Sequence, residues 1–384
     1  MDMNKIELFR EPLNIKRVLL DNNAEMSDLQ HALLCGLIKQ YKPKKIVEVG
    51  VAAGGTTAVI LNCIFMLELD SEVYSVDSSE KYYRDGNKNT GYLVEECKNY
   101  LGKEVKHCMH VGGYLPEYLD EIGDNIDFLI LDTMHTLPGE LLDFLACLPR
   151  LNDGAIVVLH DIILNHLTEF ADVNAIATRV LLSSVVGKKI ICRENDNQYN
   201  YIGLGAFEVT KETRKYIENV FSALLMTWNY IPDSEQIGLY RKHFLRYYSN
   251  DLVEEYDTAV EMNRNTLLKK RMVRKDGLYG IYELINKLAD RKNIFIYGCG
   301  MYGTKLFDCL ESFGVKIEGY VISDNQVKPE IDKRVEYISD IESSDCTFVL
   351  GMNVGKQKDI CQSDKSDNWI NVGENVLSIL RNCL

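Results

Sequence analysis

The sequence predicts an α/β chain with two parallel sheets of unequal size and a helical connector between them. Three observations carry this prediction. Short apolar runs alternate with helix-period segments over 45–207 and again over 293–372, and such alternation makes βαβ units and a parallel sheet. Each series opens with a strand that runs into a glycine turn and a helix, at Gly50-x-x-x-Gly54 and at Gly298-x-Gly300-x-x-Gly303. The stretch between them, 211–291, has helical spacing only. At 384 residues the chain exceeds what one hydrophobic core usually serves. The expected division is 1–208, a connector at 209–291, and 292–384.

In chain order, residues 1–44 read as helical, with Leu29, Leu33, Leu34 and Leu37 on one stripe and Pro43 as the stop. Strands are expected at 45–49, 72–76, 105–110, 126–131 and 155–159. Two more, at 189–192 and 201–207, flank the polar stretch 193–200 and read as an antiparallel pair closing the sheet edge. The connector is dense in tyrosine and holds a basic run at 269–275, read as a solvated helix face, with docking of an anionic substrate or partner as the alternative. The second series predicts strands at 294–297, 315–322, 347–350 and 369–372, with a helix at 301–313.

Composition narrows the function classes. With 46% hydrophobic and 26% charged residues, the chain is globular rather than disordered. A formal net charge of -14 argues against a nucleic-acid surface, which needs a basic field, while leaving room for a local basic pocket. The first residues, MDMNKIELFREP, are charged and lack an apolar core, and no apolar stretch approaches a membrane helix. No signal peptide, no membrane partner and a cytoplasmic location are therefore expected. The eleven cysteines include no C-x-x-C pair, so reduced, buried thiols are expected and a zinc site is not.

The first glycine loop follows the strand ending in Glu48-Val-Gly50. Its glycines let the backbone turn tightly and approach a ligand, and helix N-terminal amides then face that ligand. Thr56 and Thr57 stand at the helix start, where a hydroxyl can donate. The next strand ends in Asp77, whose carboxylate can accept two hydrogen bonds from ribose hydroxyls; a helix N-cap is its alternative role. The acid two residues before the first glycine, the loop spacing and Asp77 together resemble motif I and its following strand in class I S-adenosylmethionine-dependent methyltransferases. The resemblance implies a Rossmann-like seven-stranded methyltransferase sheet. It places Glu48 by the amino-acid end of S-adenosylmethionine, Gly50, Gly54 and Thr56 around the loop, and Asp77 on the ribose. It also implies that the His110-Val-Gly112-Gly113-Tyr114 loop lies beside the adenine; an ordinary turn is the alternative there.

The fourth and fifth strands end in Asp132 and in His160-Asp161, and His135 follows Asp132 by three residues. Ligands of open α/β sheets bind beyond the carboxyl ends of strands, so these four should converge on one cleft. The pattern resembles the methyltransferase subfamily acting on small molecules and sugars, over roughly 30–207. Asp132 would line the cofactor site. Some relatives hold magnesium at these two strand ends, which implies Asp132 and Asp161 as ligands. His160 departs from that pattern, because magnesium favours oxygen. Metal-free chemistry with His135 or His160 as general base, assisted by Asp161, is the competing reading, since imidazole titrates near neutrality. Helix capping or satisfaction of buried carbonyls is the plainer role for either histidine.

The second loop, Gly298-x-Gly300-x-x-Gly303, is the dinucleotide-type pattern, with Asp324 placed 26 residues beyond its first glycine. Residues 293–372 resemble the small Rossmann-like domains of bacterial sugar-modifying enzymes, including nucleotide-sugar acyltransferases. A nucleotide or nucleotide-sugar ligand, a structural or dimerising role, and NAD-dependent redox chemistry are the three readings. The redox one ranks last for want of a Tyr-x-x-x-Lys motif beside that loop. The expected function is methylation of an oxygen on a small molecule, sugar or nucleotide-linked glycan intermediate. A non-catalytic binding protein and an NAD-dependent oxidoreductase are the alternatives, and homo-oligomerisation is left open.

Overall fold

The computed structural model describes residues 6–19, 26–102, 105–166, 174–191, 203–342, 345–363 and 368–383, with side chains at 191, 268–273, 363 and 382–383 left aside. The chain forms two compact units, Met1–Arg264 and Asn265–Leu384. Both expected sheets are present.

In the first unit, strands β1 (Lys45–Val49), β2 (Glu72–Asp77), β3 (His107–Val111), β4 (Ile126–Leu131), β5 (Leu151–Leu159), β6 (Lys189–Ile191) and β7 (Gly205–Glu208) form one sheet in the order β3-β2-β1-β4-β5-β7-β6. The first five are parallel. β7 runs antiparallel to both β5 and β6, so it sits inside the sheet and β6 takes the edge. Part of the strand expected at 201–207, its first two residues, lies outside the described residues, as does the stretch 193–200. β3 starts at His107 rather than at 105.

Alternating side chains divide the core into two layers. On one face Val47, Val49, Leu129, Leu131, Val157 and Leu159 pack against helices α4 (Leu115–Ile122), α5 (Gly139–Cys147) and α6 (Ala177–Ser184). On the other, Ile46, Phe128, Ile130, Ile156 and Val158 meet α1 (Asp28–Tyr41), α2 (Gly55–Met66) and α3 (Tyr92–Leu101). The helix expected over 1–44 is two pieces. A short 3-10 segment, Glu11–Arg17, carries Pro12 in its first turn, and α1 starts afresh at Ser27. There the Ser27 hydroxyl accepts from Gln30 N at 3.2 Å while Gln30 Oε1 accepts from Ser27 N at 2.6 Å, a reciprocal cap that makes Ser27 a true start.

The segment expected as a connector belongs largely to this first unit. α7 (Lys211–Lys215), α8 (Glu218–Ala223) and α9 (Ser234–Tyr247) lead into the long α10 (Asn250–Leu288). Phe221, Trp228, Phe244, Tyr256 and Ala259 are buried in the same layer as α5, with Phe221 and Phe244 edge to face. Burial of such large rings outweighs the independence that helical spacing alone suggests. The basic run 269–275 falls within α10.

In the second unit, β8 (Ile294–Tyr297), β9 (Gly319–Ile322), β10 (Val335–Tyr337), β11 (Thr347–Leu350) and β12 (Trp369–Ile370) are all parallel, in the order β10-β9-β8-β11-β12. Helices α11 (Met301–Ser312), α12 (Val354–Ser363) and α13 (Glu374–Cys383) complete it. Ile281, Leu284 and Leu288 from α10 join Ile296, Leu310 and Leu377 in its core. β10 has no counterpart among the expected strands: its three residues are half-buried and lack the apolar run that signals a strand. No helix among the described residues is long and apolar enough to cross a membrane.

Candidate active site

The strand register positions the site before any side chain is considered. Val49 lies level with Val76 and Leu131, and Leu131 level with Leu159. The residues one step further, Gly50, Asp77, Asp132 and His160, therefore emerge together at the carboxyl edge of the sheet. A cleft of about 720 Å³ opens there, lined by the first glycine loop, Thr56, Asp77, Asp132, His135, His160 and Asp161. Its volume suits a small-molecule ligand. A second hollow of about 700 Å³ lies at the opposite, amino edge, lined by Lys44, Lys45, Asp70, Lys106 and Asp127. Ion pairs such as Lys106–Asp70 at 2.7 Å occupy its charged groups, and it lies at the wrong strand ends for a nucleotide-type site.

At Gly50 the chain must be glycine. Its φ is +92°, and a Cβ would stand 1.8 Å from the Asp132 carbonyl oxygen. Asp77 clasps this loop: its Oδ2 accepts from Val51 N at 2.9 Å and Ala52 N at 3.1 Å. Its Oδ1 accepts from Ser79 N at 2.9 Å, a turn two residues on, and the next helix begins only at Tyr92. The helix N-cap role is thus not the one Asp77 plays. Three of the carboxylate's roughly four acceptor directions are thereby taken, which leaves one, on Oδ1, for a ribose hydroxyl.

Glu48 does not reach the cleft lining. Strand alternation turns it with Ile46 toward the α1–α2 layer, where its Oε2 accepts from Thr57 Oγ1 at 2.6 Å and Ser75 Oγ at 2.9 Å. Burial pushes its carboxyl up to about 7, against the pull of those two hydroxyls.

At the far end of the cleft, two imidazoles and three carboxylates meet. His160 Nδ1 stands 2.8 Å from Asp132 Oδ1, and its Nε2 3.4 Å from Asp161 Oδ1. His135 Nε2 lies 3.5 Å from both Asp132 Oδ1 and Asp161 Oδ2. Behind it, His135 Nδ1 is 3.2 Å from Glu140 Oε1, an ion-pair distance without hydrogen-bond alignment. Glu140 Oε1 instead accepts from the His135 backbone N at 2.7 Å. His135 and Asp161 hold left-handed backbone conformations, φ +58° and +56°, unusual for residues with side chains and frequent at functional sites. Burial works against charge on His135, yet Glu140, Asp132 and Asp161 outweigh it and push the ring up to about 9. Burial also opposes charge on His160, and Asp132 and Asp161 prevail there too. Burial raises Asp132, but the charge and hydrogen bond of His160, with His135, hold it below the usual carboxylate range.

Residues 47–162, which span the loop, Asp77 and this cluster, match the family model of a methyltransferase domain. That part of the first unit is thus similar to a methyltransferase domain. Structural likenesses are distant. The O-methyltransferase TomG of Streptomyces achromogenes, involved in tomaymycin synthesis and solved with S-adenosylmethionine, is 19% identical; the match covers 52% of this chain and 88% of that one, with TM-score 0.38. The Podospora anserina methyltransferase PaMTH1, bound to S-adenosylhomocysteine, is 13% identical over 52% and 86%, with TM-score 0.37. An O-methyltransferase from Bacillus cereus, in complex with S-adenosylhomocysteine, is 14% identical over 52% and 89%, with TM-score 0.35. A comparison with curated proteins found no match.

Within the first unit, Gly54 turns toward α3, where a Cβ would meet Val94, and it is Gly55 that lines the cleft. Likewise Gly113, not Gly112, faces it, together with Tyr114. Sequence reasoning missed the wall that Tyr230, Gln236 and Tyr240 supply from the supposed connector. Tyr240 OH donates to Asp143 Oδ1 at 2.5 Å, and burial raises that carboxyl to about 7. It also missed His31 on α1, fully buried with Nε2 3.2 Å from Thr56 Oγ1 and pushed down to about 3 by burial. Nothing local marks His31, which sits in an ordinary apolar helix pattern.

The methyltransferase resemblance implies magnesium at Asp132 and Asp161, and this donor set does not fit it. Magnesium wants an octahedron of oxygens, whereas two imidazoles face these same carboxylates. In the second unit, Gly298 has φ +97° and a Cβ on Gly303 would stand 1.8 Å from the Gly298 carbonyl oxygen, so loop and helix meet at backbone contact. Gly300 is open. Asp324 Oδ1 accepts from Ser339 N at 3.2 Å and Ser339 Oγ at 2.8 Å.

Proposed function

We propose that the first unit binds S-adenosylmethionine and methylates an oxygen of a small acceptor. The observation that carries this reading is the shared cleft: the Gly50 loop, Asp77 and the histidine–aspartate cluster all border one cavity. When bound, S-adenosylmethionine supplies a methyl group already activated on a sulfonium, which moves to an oxygen lone pair as the bond to sulfur breaks and a neutral thioether remains. Asp77 holds the ribose while keeping the loop closed. Tyr114, Tyr230 and Gln236 shape the acceptor wall, presenting rings and one amide to a ring-shaped or sugar-like hydroxyl compound. Asp132, His135, His160 and Asp161 orient the reacting hydroxyl; His135, pushed up to about 9, already carries its proton near neutrality and does not serve as the general base the sequence suggested, so a carboxylate of the cluster receives the hydroxyl proton. Alignment and exclusion of water supply most of the rate. A sugar or nucleotide-linked acceptor, and a nucleotide ligand on the Gly298 loop, complete the reading.

Calorimetric titration with S-adenosylmethionine and with NAD tests the cofactor. Transfer of labelled methyl to a panel of nucleotide sugars and catechols tests the reaction. Binding of the methyl donor with turnover of at least one hydroxyl acceptor is expected. Binding of NAD alone would defeat the proposal, and donor binding without any turnover would favour a non-catalytic role.

A further inference from the structure

We infer that the acceptor carries an ammonium group, which sits against Asp143 in the cleft wall built by Tyr230, Gln236 and Tyr240. The inference rests on the methyl-transfer reading for the acceptor's place in the cleft, and names the class of compound this wall fits. Asp143 borders the cleft and is 7% exposed. Its Oδ1 accepts from Tyr240 OH at 2.5 Å, and no other hydrogen bond reaches the carboxylate from the described residues. No lysine or arginine among them acts on it; the other charge it meets is Glu140, a second buried carboxylate. Burial, and then Glu140, push the Asp143 carboxyl up to about 7 against the pull of Tyr240. Buried acids are seldom left without a cationic partner. A cation entering from the cleft supplies the missing charge.

The rest of the wall suits the same group. Gln236 and Tyr240 stand one turn apart on α9, and both line the cleft. A primary ammonium carries three N–H donors. The wall offers three acceptors, the second oxygen of Asp143, the Gln236 amide oxygen and the Tyr230 hydroxyl, none engaged by another described residue. Tyrosine rings attract a cation held over their faces, and Tyr114, Tyr230 and Tyr240 all line the cleft. The cleft's own cations are placed elsewhere. Lys81 and Arg84 belong to the loop after β2, where Lys81 Nζ donates to Asn89 Oδ1 at 2.7 Å. His135 is matched by Glu140, Asp132 and Asp161. An alkyl amine is protonated near neutrality, as lysine is. Its nitrogen then has no lone pair for the methyl group, so transfer goes to the acceptor's hydroxyl.

The test is calorimetric titration of the full chain with matched probes: glucosamine against glucose and glucuronate, and tyramine against ethylphenol and hydroxyphenylacetate. In at least one set the amine should bind at least about 10-fold more tightly than its neutral partner, with the acid weakest. Asp143→Asn keeps an oxygen to accept from Tyr240. It should weaken the amine by about 10–100-fold and leave the neutral partner unchanged. Circular dichroism confirms that the variant is folded, and the comparison of probes on the wild type does not depend on it. Seating an ammonium also ionises Asp143. At about pH 6, below its raised value, amine binding should release about one proton, seen as a heat that varies with the buffer, and at about pH 8.5 none. The titratable groups around Asp143 are Glu140 and Cys147 on α5, Tyr240 on α9 and Tyr230 ahead of it; loss of the release in Asp143→Asn assigns it. No amine bound better than its neutral partner, or an amine preference that survives Asp143→Asn, would overturn the inference. An amine preference lost in Asp143→Asn, in a protein that ignores S-adenosylmethionine, would support the site while defeating the methyl-transfer reading. Methyl transfer to these probes without an amine preference would do the reverse.

Discussion

Glu48 permits a quantitative test of the buried layer beneath the first glycine loop. Its carboxyl is enclosed, and burial raises it from an ordinary 4.5 to about 7, although Thr57 and Ser75 hydrogen-bond to it. The unfolded chain releases this proton near pH 4.5, while the folded chain keeps it until about 7. Across that window the folded state binds more protons, so stability falls as pH rises and the loss is complete above the folded value. A rise of this size corresponds to about 3 kcal/mol. Glu48→Gln removes the ionisation but keeps an oxygen that accepts from both hydroxyls. The stability of the variant relative to wild type should therefore improve by about 3 kcal/mol on going from acid to mildly alkaline pH. The assay is urea unfolding at several pH values, followed by tryptophan fluorescence. The two tryptophans divide between the units, Trp228 in the first and Trp369 in the second. A Trp369→Phe background thus reports the first unit alone. A difference that stays flat across the pH range would refute the reasoning.

Three further outcomes are expected. Asp77→Ala leaves the Val51 and Ala52 amides without their acceptor; hydrogen bonds to a charged group contribute about 1.5–3 kcal/mol, so calorimetry should show S-adenosylmethionine binding weakened by about 10–100-fold. An unchanged affinity would remove Asp77 from the site. Gly50→Ala puts a Cβ against the Asp132 carbonyl at a positive φ, and should lower stability by about 3 kcal/mol or more, visible as a lower Tm with donor binding lost. Tyr240→Phe deprives the buried Asp143 of its donor. Thermal unfolding should show a loss of about 1–3 kcal/mol. The loss should be larger above pH 7, where Asp143 is ionised and needs that donor most.

The features legible in the sequence are local ones. The alternation of apolar runs with helical spacing predicted both sheets, because period and spacing are properties of neighbouring residues. The Gly50 and Gly298 loops were visible because a Cβ at Gly50 or Gly303 would stand 1.8 Å from a backbone carbonyl oxygen, which leaves glycine no substitute, and Asp77 because it ends its strand. The convergence of Asp132, His135, His160 and Asp161 followed from the same rule, that parallel strands end level. Short, half-buried β10 escaped because three polar-flanked residues carry no period.

What only tertiary structure decided is which distant residues complete the cleft and how its charges balance. Strand pleating sent Glu48 inward, away from the ligand side. Burial of Phe221, Trp228 and Phe244 drew the supposed connector onto the first sheet, and with it Tyr230, Gln236 and Tyr240 into the cleft wall. The encirclement of His135 by Glu140, Asp132 and Asp161 raises its pKa although burial alone would lower it. Sequence spacing specifies backbone form over a few residues, while burial and Coulomb interactions act through space between groups the chain separates, and these set the chemistry of the site.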